Sequence, residues 1–200
     1  MATKVLTLHN PLGELIIRRV AAGTIWHHIF PDRYPNPLGY GLTSSRFSDP
    51  RHAKHRFGVY YVGANFEVAI LETLIRDTRN YNPGVLRIAK AVLAGFVHVA
   101  IEVREDLEVV DLRGGNPIVM GIPTDAIRAR AHARGQKLSL ALYQHADRHD
   151  GLYYPSRLNQ DENLAVYDRA IHKLTAGPRR HLDQCPELAA VLDRYRIAIV

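Results

Sequence analysis

Apolar and polar positions change period along the chain, and the changes mark its elements. Residues 23–30, reading GTIWHHIF, are a β-branched and aromatic run closed by Pro31, which predicts a strand. Val59-Tyr60-Tyr61-Val62 is a second such run, bounded by Gly58 and Gly63, the pattern of a strand buried on both faces. Gly63-Ala64-Asn65 then makes a turn, and residues 66–76 read as an apolar helix. Asn65 suits the N-cap, because its side-chain oxygen can accept an orphan amide proton of the first turn, and Glu67 in that turn complements the helix dipole. Glu72 falls about two turns into this helix, with Val68, Ala69 and Ile75 as neighbours one turn away. A carboxylate at the edge of an apolar face needs a partner, since an unpaired buried charge costs several kcal/mol.

Elsewhere the pattern is plainer. Residues 96–103 alternate in part, as a half-buried strand does, and residues 107–112 form another strand that ends at Gly114-Gly115. Pro123-Thr124-Asp125 opens an alanine-rich helix to about Arg134, with Gly135 as its natural stop. Residues 137–147 predict a second helix with Leu138, Leu142 and Tyr143 on one stripe. Strands are expected at 151–155, running into a turn at Ser156-Arg157, and at 163–167. A short helix at 186–194 and a β-run at 195–200 complete the chain. Residues 4–20 read as a strand-like start and a helix-like turn. Prolines and glycines fill residues 32–45, a loop long enough to carry function. There is no repeat and no linker. The expectation is one α+β domain over residues 23–200, with residues 1–22 a peripheral segment.

Composition narrows the class. The chain has 200 residues, enough for one domain with a sizeable core, and is 46% hydrophobic and 23% charged, as globular proteins are. One cysteine, Cys185, excludes an intramolecular disulfide framework and any multi-cysteine metal site. No apolar run approaches the roughly 20 residues of a membrane span, and the first residues lack the apolar core of a signal peptide. A cytoplasmic protein is expected. The net charge of +6 and pI near 9.6 call for an anionic partner without saying which. The basic residues are scattered and no basic tract is interleaved with aromatics, so direct nucleic-acid binding has no support.

Eleven histidines invite a metal reading. His145 and His149 in HADRH have a spacing that can bind zinc, but Ala146 stands where a zinc protease needs glutamate, and surface histidines on a polar helix face are the simpler account. His27 and His28 are adjacent in a strand and point to opposite faces. No metal is expected. Ser156 lacks the glycines of a nucleophile elbow, Cys185 sits in a polar stretch without an evident base, and no phosphate-loop or dinucleotide fingerprint is present. What remains is Arg46, Tyr61, Glu72 and Ser156-Arg157, each at a strand end, turn or helix face. Each has an ordinary explanation alone: Arg46 a solvated loop cation, Tyr61 a core aromatic, Ser156 a turn hydroxyl, and Glu72 an i,i+4 ion-pair partner of Arg76 worth a few tenths of a kcal/mol.

Taken together they resemble the RES domain, named for its Arg, Glu and Ser. The resemblance runs from about Gly23 to Leu174 and rests on SSRFSDP, FGVYYVGANFEVAILET, VVDLRG and LYYPSRLNQDENLAVYDRA. It implies an ADP-ribosyltransferase-like fold, a split mixed β-sheet flanked by helices. The activity it implies is cleavage of the nicotinamide–ribose bond of NAD, by phosphorolysis or hydrolysis or with transfer of ADP-ribose to a protein, NAD being the substrate and no metal taking part. Such proteins are the toxins of bacterial toxin–antitoxin pairs, so it also implies a helix-turn-helix (Xre-type) antitoxin, through which alone nucleic acid would be met. Self-association is left open. By matching motifs Glu72, Arg46 and Tyr61 carry over as catalytic residues, and His27, Arg46, Tyr61, Ser156 and Arg157 as NAD-binding residues. The family's first-strand arginine is replaced here: the matching residue is His27, whose charge is lost near neutral pH. That departure favours an alternative, a binding module of the same fold with weak or no activity; a basic ribonuclease toxin is the other.

Overall fold

The computed structural model describes residues 14–51, 54, 56–76 and 84–200. In chain order its elements are β1 (Ile17–Val20), β2 (Ile25–Pro31), β3 (Val59–Gly63) and α1 (Phe66–Ile70), which runs into a π-helical turn (Leu71–Ile75). Next come β4 (Leu86–Ile88), α2 (Lys90–Ala94), β5 (Phe96–Val103), β6 (Leu107–Asp111), α3 (Asn116–Val119), α4 (Asp125–Arg128) and α5 (Ala133–Tyr143). β7 (Gly151–Pro155), β8 (Glu162–Tyr167), β9 (Leu174–Ala176), β10 (Arg180–His181), α6 (Leu188–Arg194) and β11 (Ile197–Ile199) follow.

The main sheet has the order β1-β6-β7-β8-β3-β2-β5-β10, with β9 also on β5, and β11 pairs β4 in a small separate sheet. Its pairs are antiparallel except β6 with β7. A parallel pair needs a long crossover, and residues 112–150 provide it with α3, α4 and α5. The fold is thus α+β, a mixed sheet flanked by helices, as expected.

Side chains alternate between two faces of the sheet. On one face Trp26, Phe30, Tyr60, Val62, Val99, Tyr153 and Val166 meet one another in a core drawn almost wholly from strands, so the sheet curls on itself. The other face is covered in two halves. Leu138 and Leu142 of α5 and Ile127 of α4 pack on Val59, Leu152 and Tyr167, while α1, α2 and α6 pack around Ile29, Ile70, Leu93 and Val191. Between the halves β2 and β3 are matched only at His27 and Gly63. The strands part there. His28 Nδ1 donates to the Tyr61 carbonyl at 2.8 Å across the gap, a side chain standing where a ladder bond would be.

Several expectations are corrected. Residues 17–20 form an edge strand, not a helix-like turn, and the strand-like start near residue 4 lies outside the described residues. The helix expected to run to Arg134 stops at Arg128. Gly135 does not end a helix but lies inside α5, because a side chain there would come within 2.6 Å of the Arg46 carbonyl and 2.7 Å of the Ala126 carbonyl. The alanine-rich pattern cannot show this, since the contact that requires glycine comes from residue 46. α5 ends at Tyr143, so His145 and His149 lie in the turn beyond it, and His149 is buried, not on a helix surface. Cys185 belongs to the core and not to a polar stretch; burial pushes its thiol pKa up. The pattern does not mark β4, β9, β10, α2 or α3, all of five residues or fewer. Among the described residues no helix is long and apolar enough to cross a membrane.

Candidate active site

The parting of β2 and β3 opens a cleft of about 320 Å³, within the usual size of ligand pockets. His27, Arg46, Tyr61, Glu72 and Arg157 line it, so five of the six residues singled out in the sequence meet there. The sixth, Ser156, lies directly behind Glu72.

Glu72 reaches the cleft from the strand–turn–helix unit. Asn65 caps α1 as expected, its side chain accepting the Val68 amide at 2.8 Å. Gly63 is required at the strand end, where a Cβ would stand 2.5 Å from Val68 Cγ1. After Ile70 the helix widens, and the Arg76 amide bonds to the Leu71 carbonyl at 2.8 Å, five residues back. Wide turns of this kind recur at functional sites. Within it, Glu72 Oε1 accepts a hydrogen bond of 2.7 Å from Ser156 Oγ. Its other oxygen lies 3.7 Å from Arg76 Nη1, an ion pair too long to be a hydrogen bond. The i,i+4 partner is therefore real, but the closer contact comes from 84 residues away. Ser156, only 1% exposed, also accepts the Leu158 amide at 3.1 Å, so its hydroxyl is fixed and aimed at Glu72, not at the open cleft.

Arg46 is no solvated loop cation. It is part-buried, and one guanidinium nitrogen, Nη1, donates to the carbonyls of Ile127 and, at 2.8 Å, Ala129. Burial and then the Arg157 charge lower its pKa, which from so high a starting point leaves it a cation. The Arg46 loop is pinned by Tyr61, whose hydroxyl accepts the Phe47 amide at 3.0 Å and pairs with Ser45 Oγ at 2.9 Å. Burial pushes the Tyr61 pKa up to about 12, so the hydroxyl stays protonated. Its hydrogen-bonding capacity thus serves the loop, and its ring borders the cleft. Arg157, more exposed, contacts the Arg128 carbonyl at 3.5 Å.

His27 and His28 diverge as strand alternation requires. His27 stacks on His98 and shares with it a 2.9 Å hydrogen bond, whereas His28 packs on Phe30 and Tyr60. Burial lowers the pKa of both, that of His28 to about 4, so both are neutral at pH 7. His27 therefore cannot supply an arginine's charge. Among the described residues lining the cleft, the formally charged ones are Arg46, Arg76 and Arg157 against Glu72, a surplus of two positive charges. Sequence reading missed Asn163, which pairs with Gly63 across β8 and β3. Only 3% exposed, it borders the cleft with an Nδ2 that has no hydrogen-bond partner among the described residues. It lies in the LYYPSRLNQDENLAVYDRA segment, where the residue pattern marks it only as part of a strand. Tyr154, also lining the cleft, is held protonated by burial and by the Glu72 charge.

Known proteins resemble this chain. The RES domain family model matches residues 16–185. A protein of Sinorhizobium fredii (strain NBRC 101917 / NGR234) described as "Probable toxin y4kH" is 41% identical over 129 residues, covering 63% of this chain and all of that protein. Among solved structures, the M. tuberculosis MbcT–MbcA toxin–antitoxin complex contains a chain of the same fold, with a TM-score of 0.63 at 14% identity, covering 89% of this chain and 91% of that one. The chain, with its mixed sheet parted over a cleft of arginines and one carboxylate, belongs to the RES domain family.

Proposed function

We propose that this protein is a toxin that cleaves the nicotinamide–ribose bond of NAD and is held in check by a cognate antitoxin. One observation carries the reading: Glu72 is fixed by a buried serine at the wall of a cleft where, among the described lining residues, the other charged groups are arginines. NAD carries a diphosphate, and its glycosidic bond breaks with positive charge building on the ribose. A cleft with two surplus positive charges suits the first; a preorganised carboxylate suits the second.

In this reading Arg46 and Arg157 take the diphosphate, since guanidinium groups bind phosphate oxygens through paired N–H donors. Arg46 is the more rigid of the two, because Nη1 is already anchored. Glu72 faces the ribose and stabilises the developing cation. Ser156 acts through Glu72 as a positioning residue, and a phosphate contact by Ser156 is not favoured. Tyr61 offers a ring face for the nicotinamide, and Asn163 Nδ2 a donor for a carbonyl or hydroxyl of the substrate. His27, neutral and bonded to His98, borders the site without contributing charge. ADP-ribose would pass to phosphate, water or a protein side chain. The relative described as a toxin and the neighbour solved with its antitoxin support the toxin role. A basic toxin suits an inhibitory antitoxin segment that is acidic.

The test is to incubate the purified chain, freed of any partner, with NAD in the presence and absence of phosphate and to quantify nicotinamide. Release above the blank is expected, and release only with phosphate would identify phosphorolysis. No release under either condition would overturn the enzyme reading and leave a binding module, to which the neutral His27 already points.

A further inference from the structure

A second constellation lies at the far end of β7. His145, Asp147 and His149 each offer one ligand atom, all within 4.8 Å of one another. Asp147 Oδ2 stands 3.5 Å from His145 Nδ1 and 3.8 Å from His149 Nε2. Around a tetrahedral zinc with bonds of about 2.0–2.1 Å, ligand atoms stand about 3.4 Å apart, so small side-chain adjustments suffice. His149 adds an independent observation: it is 6% exposed, and neither ring nitrogen has a hydrogen-bond partner among the described residues. A buried imidazole without partners is costly and calls for an explanation. A cation at the centre of the triad would give Nε2 its partner.

We propose that His145, Asp147 and His149 form a binding site for a divalent first-row transition metal, zinc by its ligand set, that ties the end of α5 to the start of β7. Two imidazoles and one carboxylate leave a fourth position for water. The ligand residues lie within five positions, and Arg148 between them adopts a left-handed backbone (φ 53°) that folds the turn. His145 Nδ1 now accepts the Asp147 amide at 3.3 Å, a long bond given up to the metal. Local charge permits a cation: in the neighbouring pocket Asp106, Glu108 and Asp150 balance Arg19, Arg148 and Lys173, with Lys173 paired to Asp150 at 2.8 Å, so Asp147 brings its charge to an otherwise neutral surrounding. The site is separate from the cleft, because Gly151 at the start of β7 and Ser156 just past its end are about 17 Å apart at the usual strand rise. Its role is to brace the fold, not to catalyse. The HADRH motif, set aside as surface histidines, thus finds a use that depends on Asp147 and not on a glutamate at position 146.

The tag-free full-length chain, titrated with zinc chloride by calorimetry, should bind one equivalent, and cobalt should give the visible absorption of a four-coordinate ion. The melting temperature should rise with zinc and return with chelator. Asp147→Asn and His145→Ala, at the more exposed positions, should each weaken binding at least tenfold. His149→Ala should abolish it, and if that variant fails to fold the two exposed variants decide. Absence of stoichiometric binding overturns the proposal, as does binding unchanged in Asp147→Asn and His145→Ala, which would place the ion on other histidines. Chelator should leave nicotinamide release unchanged; release that depends on zinc would put the ion in the cleft and equally contradict the proposal.

Discussion

Two arginine–carboxylate clusters stand on the same sheet, and the chain treats them oppositely. At the first, Arg113 grips Asp111 through Nε and Nη2, both at 2.8 Å, bonds to Glu162 through Nη1, and lies 4.0 Å from the Tyr153 ring centre. Tyr153 in turn donates to Glu162. Each charge there has a close partner, with two carboxylates for one arginine. At the second, Glu72 and Arg76 stand 3.7 Å apart, Glu72 is the one carboxylate beside three arginines among the described lining residues, and the hydrogen bond to Glu72 comes from a neutral hydroxyl. The first cluster is finished by the fold. Among the described residues lining the second, arginines outnumber carboxylates, an excess that suits an anionic ligand. The VVDLRG segment shares in the family resemblance, yet its Asp111 and Arg113 serve the scaffold. A matched motif therefore does not by itself mark a site; unmatched charge beside a cleft does.

The largest expected contrast comes from Glu72→Gln. Turnover of NAD should fall about a hundredfold or more, the usual loss for one preorganised electrostatic group, with the thermal melt nearly unchanged. Arg113→Ala should do the reverse. It leaves the buried Asp111 carboxylate without its main partner and should cost about 3 kcal/mol in denaturant unfolding, near the low end for breaking a buried pair. Turnover per folded molecule should persist. Should Arg113→Ala abolish turnover in well-folded protein, the division between scaffold and site would be wrong.

Ser156→Ala sharpens the positioning role. The carboxylate stays but is no longer held, so kcat should drop roughly tenfold, about the worth of one hydrogen bond to a charged group, with KM little changed. A rise in KM alone would instead mean that Ser156 touches the substrate.

Acid should weaken the fold in a defined window. Burial lowers the pKa of His28 to about 4, and burial with the neighbouring His27 lowers that of His98 to about 4. The unfolded chain takes up protons on these residues near pH 6.5, which the folded chain refuses until about pH 4, so stability should fall as pH drops across that interval. Asp111 adds to this at lower pH. Burial raises its pKa, but the Arg113 hydrogen bonds outweigh burial and hold it below the usual range, so its contribution is lost as the carboxylate protonates. Melting curves from pH 7.5 to 4.5 check the direction; a flat profile would mean that these imidazoles are not buried as described. The smallest effect belongs to Arg76→Ala, which should change stability by only about a few tenths of a kcal/mol, as an exposed i,i+4 pair does.

Local order was the readable part of the sequence. The run at 59–62, the Asn65 cap and the apolar period after it place Glu72 in a helix packed on β3, as found. The family motifs also brought Arg46, Tyr61, Glu72 and Arg157 to one place. What could not be read depends on partners far along the chain: the bond from Ser156 to Glu72, the Tyr61 hydroxyl tied to the Arg46 loop, and Gly135 cleared for the Arg46 carbonyl. Hydrophobic periodicity carries no sign of such pairs, whether they lie 14 residues apart, as Phe47 and Tyr61 do, or 84, as Glu72 and Ser156 do. The π turn is equally hidden, because its extra residue leaves the hydrophobic period almost unchanged. Asn163 was overlooked because its unpartnered amide becomes visible only once β3 and β2 are seen to part.

The central claim is that Arg46 and Arg157 bind a diphosphate while Glu72 faces the bond that breaks. Its most direct test is a crystal structure of the Glu72→Gln chain with NAD, the substitution slowing turnover enough to retain the dinucleotide. The account predicts the diphosphate within hydrogen-bonding distance of Arg46 and Arg157, and the nicotinamide–ribose bond beside residue 72. NAD bound elsewhere, or bound in this cleft with its diphosphate at residue 72 and its nicotinamide turned out to solvent, would contradict it.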